Sequence, residues 1–287
     1  MSKNRESMTT SVLITGSTGF VGRALMKNLL KLDVDVRVIV RKSNDVIPKN
    51  SKITSVICTD DIFSENQSWW DSVSRNIDYV FHLAWYVEPG KYLNSDKNMD
   101  CVLASLKFGK ACGKNKVKKF IGIGTCFEYD TTRRYLSVNT DLKPETAYAA
   151  SKVSTFYALS KYFELTKTEF LWCRLFYLFG ENENKQRLVP YIKSQIIAEK
   201  IVELSSGTQI RDFMDVELAG REIVKTAFSK VVGPYNICSG EAVTVREIAE
   251  KIAKKYNRMN LLKFSVRDDN LTDPDCVVGI KGNALSN

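Results

Sequence analysis

At 287 residues the chain has room for one large α/β body or for two small domains. Hydrophobic residues at 44% and charged residues at 26% make an ordinary globular composition, which excludes collagen-like, low-complexity and wholly disordered chains. The formal charge of +9 favours phosphate-bearing ligands. Because the basic residues are spread along the chain rather than clustered, a nucleic-acid partner is not expected.

The first ten residues, MSKNRESMTT, carry no apolar run and read as a loose tail without a secretory signal. VLIT at 12–15 is then a short strand, Gly16 to Gly22 a tight loop, and Ala24, Leu25, Leu29 and Leu30 recur at helical spacing. Strand-like runs follow at 36–40, 53–57, 78–85 and 120–124, with helical stretches before the last two. A long helical pattern runs from just after Pro144 to about Leu165, and FLWCRLFYLF at 170–179 is another strand. That run, the longest apolar stretch, is interrupted by Arg174 and falls far short of the roughly 20 residues a membrane-spanning helix needs. No membrane association is expected. Beyond Glu181 come a helix near 187–199, a strand region over ELSSGTQIRDF, a helix from about Val216, the strand YNIC and a helix near 245–255.

Strands alternating with helices predict an α/β fold, a Rossmann-type doubly wound parallel sheet. The expected organisation is a tail over 1–10, a dinucleotide-binding core over 11–180, and a smaller, mainly substrate-binding lobe over 181–287 with some segments returning to the core. Seven cysteines with no CxxC pair, several of them inside apolar runs, predict free thiols and a cytoplasmic location.

In TGSTGFVG at 15–22 the glycines stand at i, i+3 and i+6 between a predicted strand and a predicted helix. Gly16 permits a tight turn, Gly19 lets backbone approach a pyrophosphate, and Gly22 lets the helix pack on the sheet. Free N–H groups and the positive end of the helix dipole favour phosphates there. The predicted cofactor contacts in this loop are Gly16, Thr18, Gly19, Phe20 and Gly22. Of the 12 tyrosines, two have lysine four residues on, Tyr148–Lys152 and Tyr157–Lys161. On one helix, nine residues turn Tyr157 about half a turn away from Tyr148. Tyr148, just inside the helix start, is the one expected to reach a cleft. A phenol has a pKa near 10 in water, and Lys152 one turn away is expected to lower it into a range useful for proton transfer. His82, the only histidine, reads as a neutral packed imidazole. No metal site is expected, for want of a plausible ligand set.

This combination resembles the extended short-chain dehydrogenase/reductase family, which includes NAD(P)-dependent sugar epimerases, dehydratases and 4-keto-sugar reductases. The resemblance places Thr125, in GTCFEY at 124–129, where a Ser or Thr bonds the substrate oxygen, so that Thr125, Tyr148 and Lys152 are the implied catalytic triad. It puts Asp61 and Ile62 against the adenine and Leu83 and Ala84 near the middle of the cofactor. An acidic residue ending the second strand would suit NAD(H), whereas this strand ends in Arg41-Lys42, which suits the extra phosphate of NADP(H); Asp33 and Asp35 lie at its wrong end. On the substrate side the resemblance implies Arg187, Val189, Arg211, which would contact a nucleotide diphosphate, and Tyr177, which stands where relatives commonly carry Asn.

Related dehydratases carry Thr-Asp-Glu where this chain has Thr125-Cys126-Phe127, and losing both carboxyls argues against elimination of water. The expected activity is NADPH-dependent reduction of a nucleotide-linked 4-keto-6-deoxyhexose at C4, in deoxysugar biosynthesis. A nucleotide-sugar 4-epimerase that keeps NAD, with NAD(H) in place of NADP(H), and a non-catalytic cofactor-sensing or scaffold protein are the alternatives. A homodimer is expected, since relatives commonly associate through the helix that bears the Tyr-Lys pair.

Overall fold

The computed structural model describes residues 9–41, 47–270 and 273–282. Alternation along β1 (Thr10–Thr15) sends Val12 and Ile14 to one face of a sheet and Leu13 to the other. After the glycine loop comes α1 (Phe20–Leu29), then β2 (Val34–Val40), β3 (Ile53–Cys58), α2 (Gln67–Val73), β4 (Tyr79–His82), α3 (Lys97–Lys114), β5 (Lys119–Thr125), the short β6 (Tyr135–Leu136), α4 (Ala147–Thr166) and β7 (Glu169–Leu175). The remaining chain forms β8 (Tyr177–Phe179), α5 (Leu188–Ile197), β9 (Val202–Glu203), β10 (Ile210–Arg211), β11 (Phe213–Asp215), α6 (Val216–Ala227), β12 (Gly233–Ile237), β13 (Val243–Thr244), α7 (Val245–Lys255), β14 (Leu262–Lys263) and β15 (Cys276–Gly279).

Seven strands form one sheet in the order β12-β7-β5-β4-β1-β2-β3, with every neighbouring pair parallel. A parallel sheet must be covered on both faces. On one face Leu25 and Leu29 of α1 and Ile223 of α6 pack over Val12, Val36 and Val38. Trp70 of α2, Phe108 of α3 and Phe163 of α4 cover Val80 and Phe120 on the other. The chain leaves β1 toward β2 and leaves β4 toward β5 on the opposite side, so the order reverses between β1 and β4 and opens a crevice at the carboxyl ends of the strands. Ile192 and Ile196 of α5 and Ala249 and Ala253 of α7 make a separate small core with Val202 and Leu262. A second sheet, β13-β10-β15-β6, closes the lobe beside the crevice.

Two predicted strands are shorter than their apolar runs. The run at 170–179 breaks at Phe176. There the Phe176 N–H donates to Ile237 O at 3.3 Å and the Tyr177 N–H to Asp212 O at 3.2 Å, so β8 leaves the main sheet and pairs with β11. The run at 78–85 ends as a strand at His82: Leu83 N still donates to Thr15 O, but Ala84 N turns to the Thr15 side chain, Oγ1. Among the described residues, no helix is long and apolar enough to cross a membrane.

Candidate active site

Gly16 has φ +73°, and a Cβ on it would lie 2.8 Å from Ala84 N, so the end of β1 touches the end of β4. A Cβ on Gly22 would fall 2.0 Å from Gly16 O, which forces glycine in the first turn of α1. The Cβ position of Gly19 meets only Gly16 O, at 3.3 Å; the rest of that side is open. Gly19 caps α1, and among the described residues no side chain bonds the first-turn N–H groups. Open space beside unbonded N–H groups at a helix start is the geometry an anion cradle needs.

Behind the cradle, a buried network fixes the crevice floor. Ser105 Oγ donates to Cys101 O, so it accepts from His82 Nε2, 2.8 Å away. His82 Nδ1 is therefore the acceptor for Thr15 Oγ1, also at 2.8 Å, and Thr15 Oγ1 accepts from Ala84 N. Burial, aided by the charge on Lys152, lowers the His82 pKa to about 3. The imidazole is neutral and packed, with both nitrogens used.

A cleft of about 780 Å³ runs from this cradle into the lobe. Of the predicted residues, Gly16, Thr18, Gly19, Phe20, Gly22, Arg41, Ile62, Leu83, Ala84, Thr125, Tyr148, Lys152, Tyr177 and Arg187 line it. Arg41 stands at the exposed carboxyl end of β2, and Lys42 lies outside the described residues. Asp35 is in register with Ser11 at the far end of the sheet. Asp61 is exposed and accepts from Phe63 N instead of lining the cleft.

Thr125 ends β5, and Thr146 caps α4 by accepting from Ala149 N, which sets Tyr148 in the first turn and Lys152 one turn on. The Lys152 ammonium donates to Ile123 O at 2.8 Å and lies 3.6 Å above the centre of the Trp85 ring. Burial pulls its pKa down to about 7, against the opposing influence of Cys101 and Glu128. The expectation that Lys152 lowers the Tyr148 pKa is corrected here. Burial, with Tyr92, Glu128 and Cys126, raises that phenol above the usual tyrosine range, and a side-chain hydrogen bond with Thr125 works the other way. The ammonium is held by Ile123 and Trp85, 5.8 Å from the centre of the Tyr148 ring, and Tyr148 is a protonated donor. Tyr157, by contrast, is 54% exposed, and its lysine, Lys161, pairs with Glu164.

Several side chains that shape this cleft carried no sequence signal. Trp85 and Tyr92 wall in Tyr148, the latter ring edge-on at 4.8 Å. Glu128, fully buried, accepts from Thr125 N at 2.8 Å, Trp172 Nε1 at 3.0 Å and Arg174 Nε at 2.7 Å. Glu128 and Arg174 are 46 residues apart, and no spacing rule links them.

A smaller cavity of about 200 Å³ shares Tyr177 and Arg187 with the cleft and adds Val189 and Arg211. Arg211 is buried, and its Nη2 pairs with Asp273 Oδ2 at 2.6 Å. Asp212 is engaged elsewhere, by Ser239, Gly240 and Gly279 N–H groups. No group of three or more His, Cys, Asp or Glu that could hold a metal occurs among the described residues.

A family profile described as the NAD dependent epimerase/dehydratase family matches residues 12–238. The chain is 23% identical, over 94% of its length and all of the relative's, to a dTDP-6-deoxy-L-talose 4-dehydrogenase (NAD(+)) of Aggregatibacter actinomycetemcomitans. It is 26% identical, over 88% of its length and 84% of the relative's, to a dTDP-4-dehydro-6-deoxyglucose reductase of Escherichia coli. In fold it is similar to a UDP-N-acetylglucosamine 4-epimerase from Methanobrevibacter ruminantium, with TM-score 0.82 and 23% identity over 95% of this chain and 90% of that one. A UDP-glucose 4-epimerase of Thermus thermophilus in complex with NAD gives TM-score 0.80 at 19% identity, over 95% and 91%. The chain belongs to the NAD dependent epimerase/dehydratase family and is an NAD(P)-dependent enzyme of the extended short-chain dehydrogenase/reductase type.

Proposed function

We propose that the protein reduces a nucleotide-linked 4-keto-6-deoxyhexose at C4 with NADPH. The observation that carries this reading is that Thr125 and Tyr148 line one cleft, on a wall continued by Cys126 and Phe127. Reduction of a carbonyl needs one proton at the oxygen, which Tyr148 is placed to give while Thr125 orients that oxygen by hydrogen bonding. The neighbouring wall offers no carboxylate at 126 or 127 to drive loss of water. Reduced nicotinamide, when bound, supplies the hydride. Lys152 supplies positive charge beside the site and a donor toward ribose hydroxyls. Arg41 would give a 2′-phosphate a charged partner, a role Lys42 would share; Ile62 and Asp61 would hold the adenine, and Leu83 and Ala84 would flank the cofactor's middle. The sugar lies between Thr125 and Tyr177. Its diphosphate extends toward Arg187, Val189 and Arg211, which takes Asp273 as its acid until a diphosphate competes for it.

A second reading, 4-epimerisation with retained NAD, draws support from the fold similarity to 4-epimerases. The deciding experiment incubates the protein with NADPH or NADH and a panel of dTDP-, GDP-, CDP- and UDP-linked 4-keto-6-deoxy sugars. Stoichiometric oxidation of NADPH supports reduction, and isomerisation of a nucleotide sugar without net oxidation refutes it. Equal affinity for NADPH and NADH, with no change on Arg41→Ala, overturns the cofactor preference. The reading includes a homodimer through α4, the helix of the Tyr148–Lys152 pair, on which Tyr157 and Leu165 are exposed; a monomeric mass in solution removes that part.

A further inference from the structure

The Lys152 ammonium is nearly solvent-free, and no carboxylate is within ion-pair distance of it among the described residues. A buried ammonium without a counter-ion sheds its proton unless something else favours the charge. Several groups face it. Ile123 O accepts one hydrogen bond from β5, and Cys101 on α3 and Glu128 beyond β5 favour the charge from a distance. Tyr148 and Trp172 present rings at 5.8 and 6.0 Å, and neutral His82 lies beyond. The closest aromatic face is the indole of Trp85, with the nitrogen 3.6 Å from its centre. That is cation–π contact in a desolvated setting, where the interaction is strongest.

The indole is itself held. Trp85 Nε1 donates to Asn98 Oδ1 at 2.9 Å, and Asn98 Nδ2 donates to Tyr92 O at 2.7 Å and Ser95 O at 2.9 Å. Asn98 is buried in the first turn of α3, so the ring cannot turn without breaking this tie. We propose that Trp85 is a positioning residue for Lys152, its indole face holding the ammonium charged and in place, with Asn98 fixing the ring. The name of positioning residue rests on the acid–base role given above to Tyr148 and Lys152. The contact itself does not.

The test reads the charge on Lys152 directly, in the full-length protein without substrate or cofactor. Trace acetylation with acetic anhydride across a pH series, followed by peptide mass spectrometry, gives the titration midpoint of this one amine. Trp85→Phe, which keeps an aromatic face, should hold the midpoint within about half a pH unit of the unmodified protein. Trp85→Leu should lower it by about one unit or more, the tenfold change expected when a desolvated cation–π contact is lost. Because Trp85→Leu could also disturb packing, near-isosteric mono-, di- and trifluorinated tryptophans at position 85 provide a second arm. They weaken the face charge stepwise, and the midpoint should fall stepwise with them. A midpoint that is flat across the fluorinated series, or unchanged in a folded Trp85→Leu protein, overturns the proposal. If the midpoints move as expected but no keto sugar is reduced, the functional reading fails and this one stands.

Discussion

Glu128→Ala is the most informative single change to the frame of the site. It removes the acceptor of the Thr125, Trp172 and Arg174 donors at 2.8, 3.0 and 2.7 Å and leaves a guanidinium that is 1% exposed without its carboxylate. Breaking a buried pair from one side costs about 3–5 kcal/mol, because the remaining charge is uncompensated. That is a large share of the about 5–15 kcal/mol by which domains are stable. Removing both members avoids the unpaired charge, so the double variant Glu128→Ala/Arg174→Met should cost less than the sum of the singles by about 2 kcal/mol or more. Urea unfolding of the four proteins measures this, with the slope of each transition checked for two-state behaviour. Turnover in Glu128→Ala should also fall, since the Thr125 backbone loses its anchor. A single variant costing under about 1 kcal/mol, or strict additivity in the cycle, would refute the reasoning.

Gly19→Ala and Gly22→Ala should part company. The first places a methyl in open cleft and should leave the melting temperature within a few degrees while weakening dinucleotide binding at least tenfold; the second drives a Cβ onto Gly16 O and should lose about 1–3 kcal/mol of stability. Calorimetry paired with cofactor titration separates them. Tyr148→Phe should reduce turnover by several orders of magnitude with cofactor affinity nearly unchanged, whereas Tyr157→Phe should leave turnover near normal; steady-state rates with the reactive substrate decide. His82 takes up a proton near pH 6.5 when unfolded but only near 3 when folded, so between those values the unfolded state binds the extra proton. Stability should then fall by about 1.4 kcal/mol per pH unit of acidification from this group, and urea midpoints of His82→Gln should lack that part of the slope.

The glycine loop and the Tyr148–Lys152 pair were legible because each is a local pattern, set by a tight turn or by one helical turn. The parallel sheet was legible for the same reason, as strand and helix periodicities alternate along the chain. The wall of the cleft was not. Trp85 meets Lys152 from the loop after β4, and Glu128 meets Arg174 across β5 and β7, contacts that exist only once the sheet has formed. The Tyr148 phenol went the opposite way from the reading of its i+4 lysine because helical spacing fixes where a residue starts, not what its long side chain reaches for. The run at 170–179 is a third instance: its hydropathy is continuous, but the hydrogen-bond partners change at Phe176 from β12 to the segment before β11.

The last strand of the main sheet has a bearing on how the protein is made. β12 and α6 come from residues 216–237, after the chain has already passed through much of the lobe. Until a ribosome has delivered them, β7 presents an open edge and α1 lacks the helix whose Gly220 lies against the Ala24 backbone. An emerging chain of this kind holds an adhesive strand edge and an uncovered apolar helix face for the time it takes to add some sixty residues after β7, on the order of several seconds at about 5–20 residues per second. The interval is when a nascent-chain chaperone would matter most, and a product released early, before residue 237, would aggregate rather than bind a dinucleotide.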